Sequence, residues 1–161
     1  MEGTGEELRW IADEMLGKLA RYLRFLGYDV VYALHRKDGD ILEQARTEGR
    51  TILTRDELLA RRGKQRALLL HSPFVEAQLT EVRRAFPHLR TEVEFTRCTS
   101  CNGRLQSADR STPVPPKGVP EHIWMSPDPV MVCSLCGHAY WEGSHTSEIR
   151  ATFERAFGTH P

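Results

Sequence analysis

One stretch of sequence decides the fold: RWIADEMLGKLARYLRFLGYDVVYA, residues 9–33. Residues 8–12 (LRWIA) predict a short strand that ends at Asp13. After it, apolar residues recur at three- and four-residue spacing, which predicts an amphipathic helix that ends at Gly27. Residues 29–33 (DVVYA) then predict a second strand. A helix between two such strands predicts a right-handed crossover and therefore parallel strands.

The alternation of strands and helices continues further along the chain. Strands are predicted at 51–53 and 66–71, and helices at 38–48, after residue 54 through Arg62, and at 74–86. We therefore predict an α/β fold over residues 1–92, a small parallel sheet flanked by helices on both faces. In such sheets ligands bind at the carboxyl ends of the strands.

The composition of the chain limits the classes of protein to which it can belong. The chain has 161 residues, enough for one domain and a small appendage, and its hydrophobic fraction of 40% is that of a globular protein. Basic and acidic residues both number 22, so a nucleic-acid-binding role must rest on local patches rather than on net charge. No apolar run is long enough to span a membrane, and the first residues lack a signal-peptide pattern. We expect a cytoplasmic protein without a membrane partner.

The cysteines form two C-x-x-C pairs in the C-terminal part of the chain. They are Cys98, Cys101, Cys133 and Cys136. The two-residue gap lets both sulfurs of a pair reach one ion, and two pairs complete a tetrahedral four-thiolate site for zinc. Such a closed site predicts structural zinc. A redox role is the alternative, but two pairs in a small module without an export signal favour a metal.

The prolines divide this C-terminal part further. Six of the nine prolines fall within residues 107–129, which excludes a continuous helix or a central strand there. We predict a zinc ribbon over residues 93–150 that contains this Pro-rich loop. Residues 151–161 are predicted to form a C-terminal tail.

Several carboxylates follow the predicted strands. Asp13 ends the first strand, Asp56 follows the third, and Asp38 and Asp40 open the second helix. If these junctions converge, the acids repel one another unless a cation joins them, and oxygen ligands of this kind suit magnesium or manganese. Each acid is also a good helix cap, and Asp40 with Glu43 fits a capping box. The two roles are compatible.

Two segments of the sequence resemble a known family. They are DEMLGKLARYLRFLGYD at residues 13–29 and DGDILEQARTEGRTILTRD at residues 38–56. They resemble the mut-seven C-terminal ribonuclease domain, which has a PIN-like fold and a zinc ribbon at its C-terminal end. The resemblance extends from about residue 9 to about residue 149. It implies a small metal-dependent ribonuclease whose PIN-like nuclease domain is followed by a four-cysteine zinc ribbon.

The resemblance also implies catalytic residues. Asp13, Asp38 and Asp56 match the family's acids, whereas Asp40 stands at a position that neighbouring patterns leave variable. PIN nucleases often add a fourth acid later in the sheet, and here that segment offers only Glu76, which has the position of an ordinary helix-start residue. Either the site works with three acids or Asp40 supplies the fourth.

Three basic residues are candidate contacts to RNA phosphate. Lys18 and Arg21 match basic positions of the family's MLGKLAR helix, and Arg55 stands beside Asp56. A solvated helix face is the alternative for the first two residues, because charges at this spacing are common on exposed helices.

Three residues of the ribbon are candidate contacts to RNA bases. Tyr140, Trp141 and His145 belong to a YW-x-GSH segment that the family shares. Their rings could stack on unpaired bases, or they could pack the ribbon onto the α/β domain, and the sequence leaves both open.

Three functions follow from these residues. The first is a metal-dependent RNase that hydrolyses RNA phosphodiester bonds, with the zinc ribbon aiding RNA binding or orienting the domain. The second is a non-catalytic RNA-binding or ribosome-associated adaptor that keeps the fold. The third, a phosphoacceptor or phosphohydrolase domain, is weaker because no D-x-D-x-T follows the first strand.

Overall fold

The fold begins with a four-stranded parallel sheet. A computed structural model describes residues 7–158 of the chain. The sheet has the strand order β2-β1-β3-β4, and every neighbouring pair is parallel. Its strands are β1 Arg9–Asp13, β2 Asp29–Ala33, β3 Thr51–Thr54 and β4 Ala67–Leu69, and its helices are α1 Gly17–Phe25, α2 Asp38–Glu48, α3 Glu57–Gly63 and α4 Val75–Ala85. The predicted α/β fold with a small parallel sheet is confirmed.

The C-terminal half contains a second, smaller sheet. Its strands β5, β6 and β7 pair antiparallel in that order. The elements are β5 Leu105–Ser107, α5 Glu121–Trp124, β6 Met131–Cys133, β7 Ala139–Tyr140 and α6 Ser144–Phe157. No helix among residues 7–158 is both long and apolar enough to cross a membrane.

The parallel sheet has a core on each face. Trp10 and Ala12 pack on one face with residues of α1, α4 and α6, whereas Ile11 packs on the other with residues of α2 and α3. All three side chains are fully buried, as the alternation of a strand between two helical layers requires. The prediction that helices flank both faces is therefore confirmed.

Gly27 ends α1 as the sequence predicts. Its φ of 85° is left-handed, and a Cβ at this position would lie 2.8 Å from the Thr96 hydroxyl oxygen. Glycine is required here by both the backbone conformation and the close approach of the following segment. The turn sends the chain directly into β2.

The predicted tail at residues 151–161 is wrong over the part that the structure describes. Helix α6 continues through Phe157 and packs against α4, where the Thr80 hydroxyl donates to the Ala156 carbonyl at 2.8 Å. Phe153 is buried, with its ring centroid 5.6 Å from that of Tyr22. The physical reason is an apolar helical stripe that runs across residue 150. Residues 159–161 of the predicted tail lie outside the described residues.

The Pro-rich loop at residues 107–129 surrounds a small core of its own. Val119, Trp124 and Val130 are buried together, and the short helix α5 begins after Pro120. The Arg110 guanidinium lies 4.5 Å from the Trp124 ring centroid and stabilises the loop through a cation–π contact.

The first cysteine turn, residues 98–102, packs on the edge strand β2. The buried Arg24 guanidinium donates to the Thr99 carbonyl at 2.9 Å and to the Val30 carbonyl at 2.8 Å. The Asn102 side chain accepts from the Val30 amide at 3.0 Å and donates to Asp29 at 2.7 Å. These bonds cover the open edge of the sheet, which otherwise exposes unpaired backbone groups.

Candidate functional site

Asp13 is a buried carboxylate at the carboxyl end of β1, between β2 and β3. It is 7% exposed, accepts from the Met15 amide at 3.1 Å and accepts from the Thr54 hydroxyl. Burial raises its pKa, and the negative charge of Asp56 raises it further, while the two hydrogen bonds lower it in part. No ion pair joins it to a cation within 4.0 Å among residues 7–158. A buried carboxylate without a counter-cation is a favourable ligand for a metal ion.

Asp56 lies beside Asp13 and is connected to it through Thr54. The Thr54 hydroxyl oxygen donates to Asp13 and accepts from the Asp56 amide at 2.9 Å. Oδ1 of Asp56 caps α3 by accepting from the amides of Leu58 and Leu59 at 2.8 and 3.1 Å. Within the described residues, Oδ2 makes no hydrogen bond. The predicted cap is present, and one carboxylate oxygen is left for a ligand.

The structure places Asp38 and Asp40 apart from Asp13 and Asp56. Asp38 opens α2 and has Oδ2 3.8 Å from the guanidinium of Arg62, while Asp40 is exposed. Within residues 7–158, the four cysteines are the one group of three or more possible metal ligands whose donor atoms lie within 4.8 Å of one another. The structure therefore brings Asp13 and Asp56 near each other but does not assemble a three-carboxylate cluster with Asp38.

Sequence reasoning missed three residues at this edge of the sheet. Thr54, the last residue of β3, positions Asp13 through its hydroxyl group. Glu14 follows Asp13, and its Oε2 accepts from the His35 amide at 3.4 Å and lies 3.6 Å from the imidazole Nδ1. His35 has a left-handed φ of 56°, a conformation that only a few per cent of non-glycine residues adopt. All three residues lie at or just after the end of a strand, and this position is the signal from which the sequence could have identified them.

Arg55 adds a cation to the same edge. It is half-buried, and its Nε is buried without a hydrogen-bond partner in the part of the chain that the structure describes. A buried donor without a partner is costly, which favours an anionic ligand near this residue.

The cysteine cluster fits zinc. The Sγ atoms of Cys98 and Cys136 are 3.6 Å apart, and those of Cys101 and Cys133 are 3.5 Å apart. Tetrahedral zinc with bonds of about 2.3 Å places its sulfurs about 3.8 Å apart, whereas a disulfide bond requires about 2.05 Å. A Cβ at Gly103 would lie 2.9 Å from the Cys133 sulfur, so glycine allows the chain to pass this close to the cluster. The donor set and its spacing are those of a zinc ribbon.

Five of the six predicted RNA contacts line one groove. The groove has a volume of about 610 Å³ and lies between α1, β7 and the start of α6. The predicted residues along it are Lys18, Arg21, Tyr140, Trp141 and His145. Arg55 does not line this groove. The structure therefore separates the sixth candidate from the other five.

Tyr140 also holds the ribbon together. Its hydroxyl oxygen lies 3.1 Å from the Cys98 sulfur and accepts from the Thr99 amide at 3.2 Å. Its half-buried ring lines the groove while its hydroxyl group is fixed inside the ribbon. These contacts fix the hydroxyl group of Tyr140 within the ribbon rather than against the α/β domain.

The family model of the Mut7-C RNAse domain matches residues 8–153. The match includes the parallel sheet with its carboxylates, the cysteine ribbon and most of α6. The chain belongs to the Mut7-C RNAse domain family. A search of curated proteins and a search of solved structures each return no match.

Membership of the Mut7-C RNAse domain family confirms the resemblance seen in the sequence. The family is one of RNase domains, and the substrate that its description implies is RNA. The features that the structure offers for this chemistry are the Asp13–Thr54–Asp56 arrangement, the unpartnered Arg55 nitrogen and the groove beside α1.

Proposed function

We propose that this Mut7-C RNAse domain is a metal-dependent ribonuclease that hydrolyses RNA phosphodiester bonds at the carboxyl edge of its parallel sheet. The observation that supports this most directly is the buried Asp13, which has no cationic partner among residues 7–158 and has Asp56 as an anionic neighbour. Two carboxylates in this relation are stabilised by a cation between them.

The carboxylates fit magnesium or manganese by their chemistry. Asp13 and the free oxygen of Asp56 are hard oxygen donors, which these ions prefer. The ion pair between Asp38 and Arg62 is partly exposed and 3.8 Å long, and pairs of this kind contribute little to stability. Asp38 can therefore exchange Arg62 for the ion, and Asp40, two residues later on the same helix, is the other candidate for a further ligand.

In the proposed reaction, a water molecule loses one proton to solvent as its oxygen bonds to phosphorus. The bond from phosphorus to one ribose oxygen breaks, and that ribose oxygen takes up a proton from solvent. Bound magnesium or manganese would polarise the phosphate and lower the pKa of the water. Thr54 keeps the Asp13 carboxylate oriented toward the edge. Lys18, Arg21 and Arg55 would bind phosphates of the RNA on either side of the cleaved bond.

The cysteine cluster has a separate role in this proposal. Four thiolates fill the coordination shell of zinc, so zinc is structural and takes no part in cleavage. It would hold Tyr140, Trp141 and His145 in place beside α1, where they contact RNA. Zinc ligation also requires reduced cysteines, which are maintained in the cytoplasm.

The first prediction concerns cleavage of labelled RNA by carboxylate variants. Wild-type protein is expected to cut RNA with manganese or magnesium and to stop when these ions are removed by gel filtration, which leaves zinc in its four-thiolate site. Asp13→Asn and Asp56→Asn should each reduce the rate at least about 100-fold, because each removes an anionic ligand of the ion. A reduced cleavage rate in Asp38→Asn or in Asp40→Asn identifies which of these two acids also binds the ion.

The matched control is Asp109→Asn, which changes an exposed carboxylate in the ribbon. It is expected to cut RNA at the wild-type rate. Equal cleavage by wild type, Asp13→Asn and Asp56→Asn would place the reaction elsewhere on the molecule. Cleavage that persists without any added divalent ion would show that these carboxylates act without a metal.

A non-catalytic RNA-binding or ribosome-associated adaptor is the second candidate function. The separation of Asp38 from Asp13 and Asp56 favours it, because a nuclease needs its ligands assembled. The same assay separates the two functions. Salt-sensitive RNA binding by wild type, without cleavage in either metal, is the result that the adaptor predicts.

A further inference from the structure

We infer that the groove between α1, β7 and α6 binds an unpaired segment of the RNA substrate, so that this domain selects single-stranded over double-stranded RNA. The inference rests on the proposed function, because it takes RNA as the substrate. It adds a class of RNA, a place for the nucleotides next to the cleaved bond, and the residues that recognise them.

The charge of the groove suits a nucleic acid backbone. Lys18 and Arg21 are exposed along it and make no ion pair within 4.0 Å among the residues described. His145 lines the same groove, and Glu148 is the one acidic residue in its lining. Helix α6 starts here without an acidic residue in its first turn, which leaves the positive end of its dipole available to a phosphate.

The walls of the groove suit flat apolar rings. The half-buried rings of Phe95, Tyr140 and Trp141 lie along it, and the buried Phe25 also lines it. Tyr140 is fixed by its bonds to the first cysteine turn, so this wall is formed before a ligand binds. Aromatic rings beside unpaired cations are the combination with which proteins bind single-stranded nucleic acid, since any base has a face to stack.

The groove begins next to the proposed cleavage site. Lys18 is the second residue of α1, and only the 3-10 turn Glu14–Leu16 and Gly17 separate it from Asp13. From Lys18 to Phe25 the helix rises about 10 Å, which is the length of about three stacked nucleotides. A strand cleaved at Asp13 can therefore continue along α1 into the groove.

Only unpaired nucleotides fit this arrangement. In a duplex the base faces are covered by neighbouring bases and the edges by the partner strand, so aromatic walls find nothing to stack on. A cavity of about 610 Å³ has room for a few nucleotides of one strand.

The test measures binding separately from cleavage. Fluorescence anisotropy compares a short unstructured RNA with its blunt duplex, both binding to Asp13→Asn protein that retains zinc. The single strand is expected to bind about tenfold more tightly. Trp141→Ala should weaken single-strand binding about tenfold, and Trp141→Phe should restore most of it. Lys18→Ala and Arg21→Ala should each reduce the slope of log affinity against log salt by about 0.7.

The control is Arg84→Ala, an exposed arginine of α4 that does not line the groove. It should bind both RNAs like its parent. If Trp141→Ala loses zinc or its fold, the exposed Lys18 and Arg21 variants decide the question. The inference is overturned if duplex binds as well as single strand, or if the groove variants match Arg84→Ala.

The ribonuclease proposal and the groove proposal are contradicted by different experimental results. Groove-dependent binding of single strands by a wild-type protein that never cleaves RNA supports the groove and overturns the nuclease. Metal-dependent cleavage of single and double strands at equal rates, unchanged by the groove variants, supports the nuclease and overturns the groove. Absence of both binding and cleavage overturns both.

Discussion

At the scale of single residues, Asp29 shows how a half-buried charge joins the two halves of the molecule. Burial raises its pKa, but hydrogen bonds from Arg50 and Asn102, together with the charge of Arg50, outweigh that effect and lower it below the usual value. The pair with Arg50 is bidentate, at 2.8 and 3.1 Å. Removing the charge of Asp29 leaves the buried Arg50 with only the partly exposed Glu48 as an ion-pair partner, which is destabilising.

Asp29→Asn is therefore expected to lower the free energy of unfolding at pH 7 by about 3 kcal/mol. Because the pKa of Asp29 is lower in the folded than in the unfolded state, its contribution is complete above about pH 4 and declines as the pH falls through the folded pKa. Denaturant unfolding at pH 7 and below pH 4 should show the difference from wild type shrinking in acid. Asp128→Asn, in an exposed loop, is the control, and a difference that grew in acid would contradict the prediction.

At the scale of elements, α6 is part of the α/β core although it follows the ribbon in sequence. Phe153 is 3% exposed and lies between Tyr22 of α1 and Phe157, with ring centroids 5.6 and 5.7 Å away. Phe153→Ala should lower the free energy of unfolding by about 3–4 kcal/mol, because it leaves a cavity in this core. Chemical denaturation measures this cost. The neighbouring exposed residue gives the control, Glu154→Ala, and equal stability of the two variants would mean that the helix does not pack as described.

The elements also show what the sequence could predict. The α/β fold follows from strands and helices whose periodicities are local and unbroken, so it was predictable almost residue by residue. Helix α6 was missed because its start lies among the glycine and aromatic residues after the last cysteine, which indicate a loop. Its stripe of Ile149, Phe153 and Phe157 was present but was cut by the boundary placed at residue 150.

The candidate site was predictable in its parts rather than in its arrangement. Strand ends located Asp13 and Asp56, and the C-x-x-C spacing identified the four zinc ligands. The pairing of Asp38 with Arg62 depends on how α2 packs on α3, which no local pattern encodes. The groove likewise joins residues of α1 to residues more than a hundred positions later, and only the folded chain brings them together.

At the scale of the whole molecule, the zinc ribbon and the parallel sheet form one hydrogen-bonded unit. Arg24 of α1 and Asn102 of the first cysteine turn both bond to Val30 of the edge strand. The position of this turn depends on its two cysteines, so the order of the sheet edge should depend on zinc. Loss of zinc should therefore affect residues well outside the ribbon.

Removal of zinc by a strong chelator is expected to lower Tm by about 10 °C or more, since structural zinc contributes several kcal/mol to folding. The amide of Val30 should lose protection from hydrogen exchange, because its acceptor Asn102 moves with the cysteine turn, while Ile52 in an inner strand stays protected. Asn102→Gly keeps the left-handed backbone of this position and removes the acceptor side chain. With zinc bound, this variant should lose hydrogen-exchange protection at the Val30 amide alone. Full protection of Val30 after zinc removal would show that the turn stays docked on the sheet without its metal.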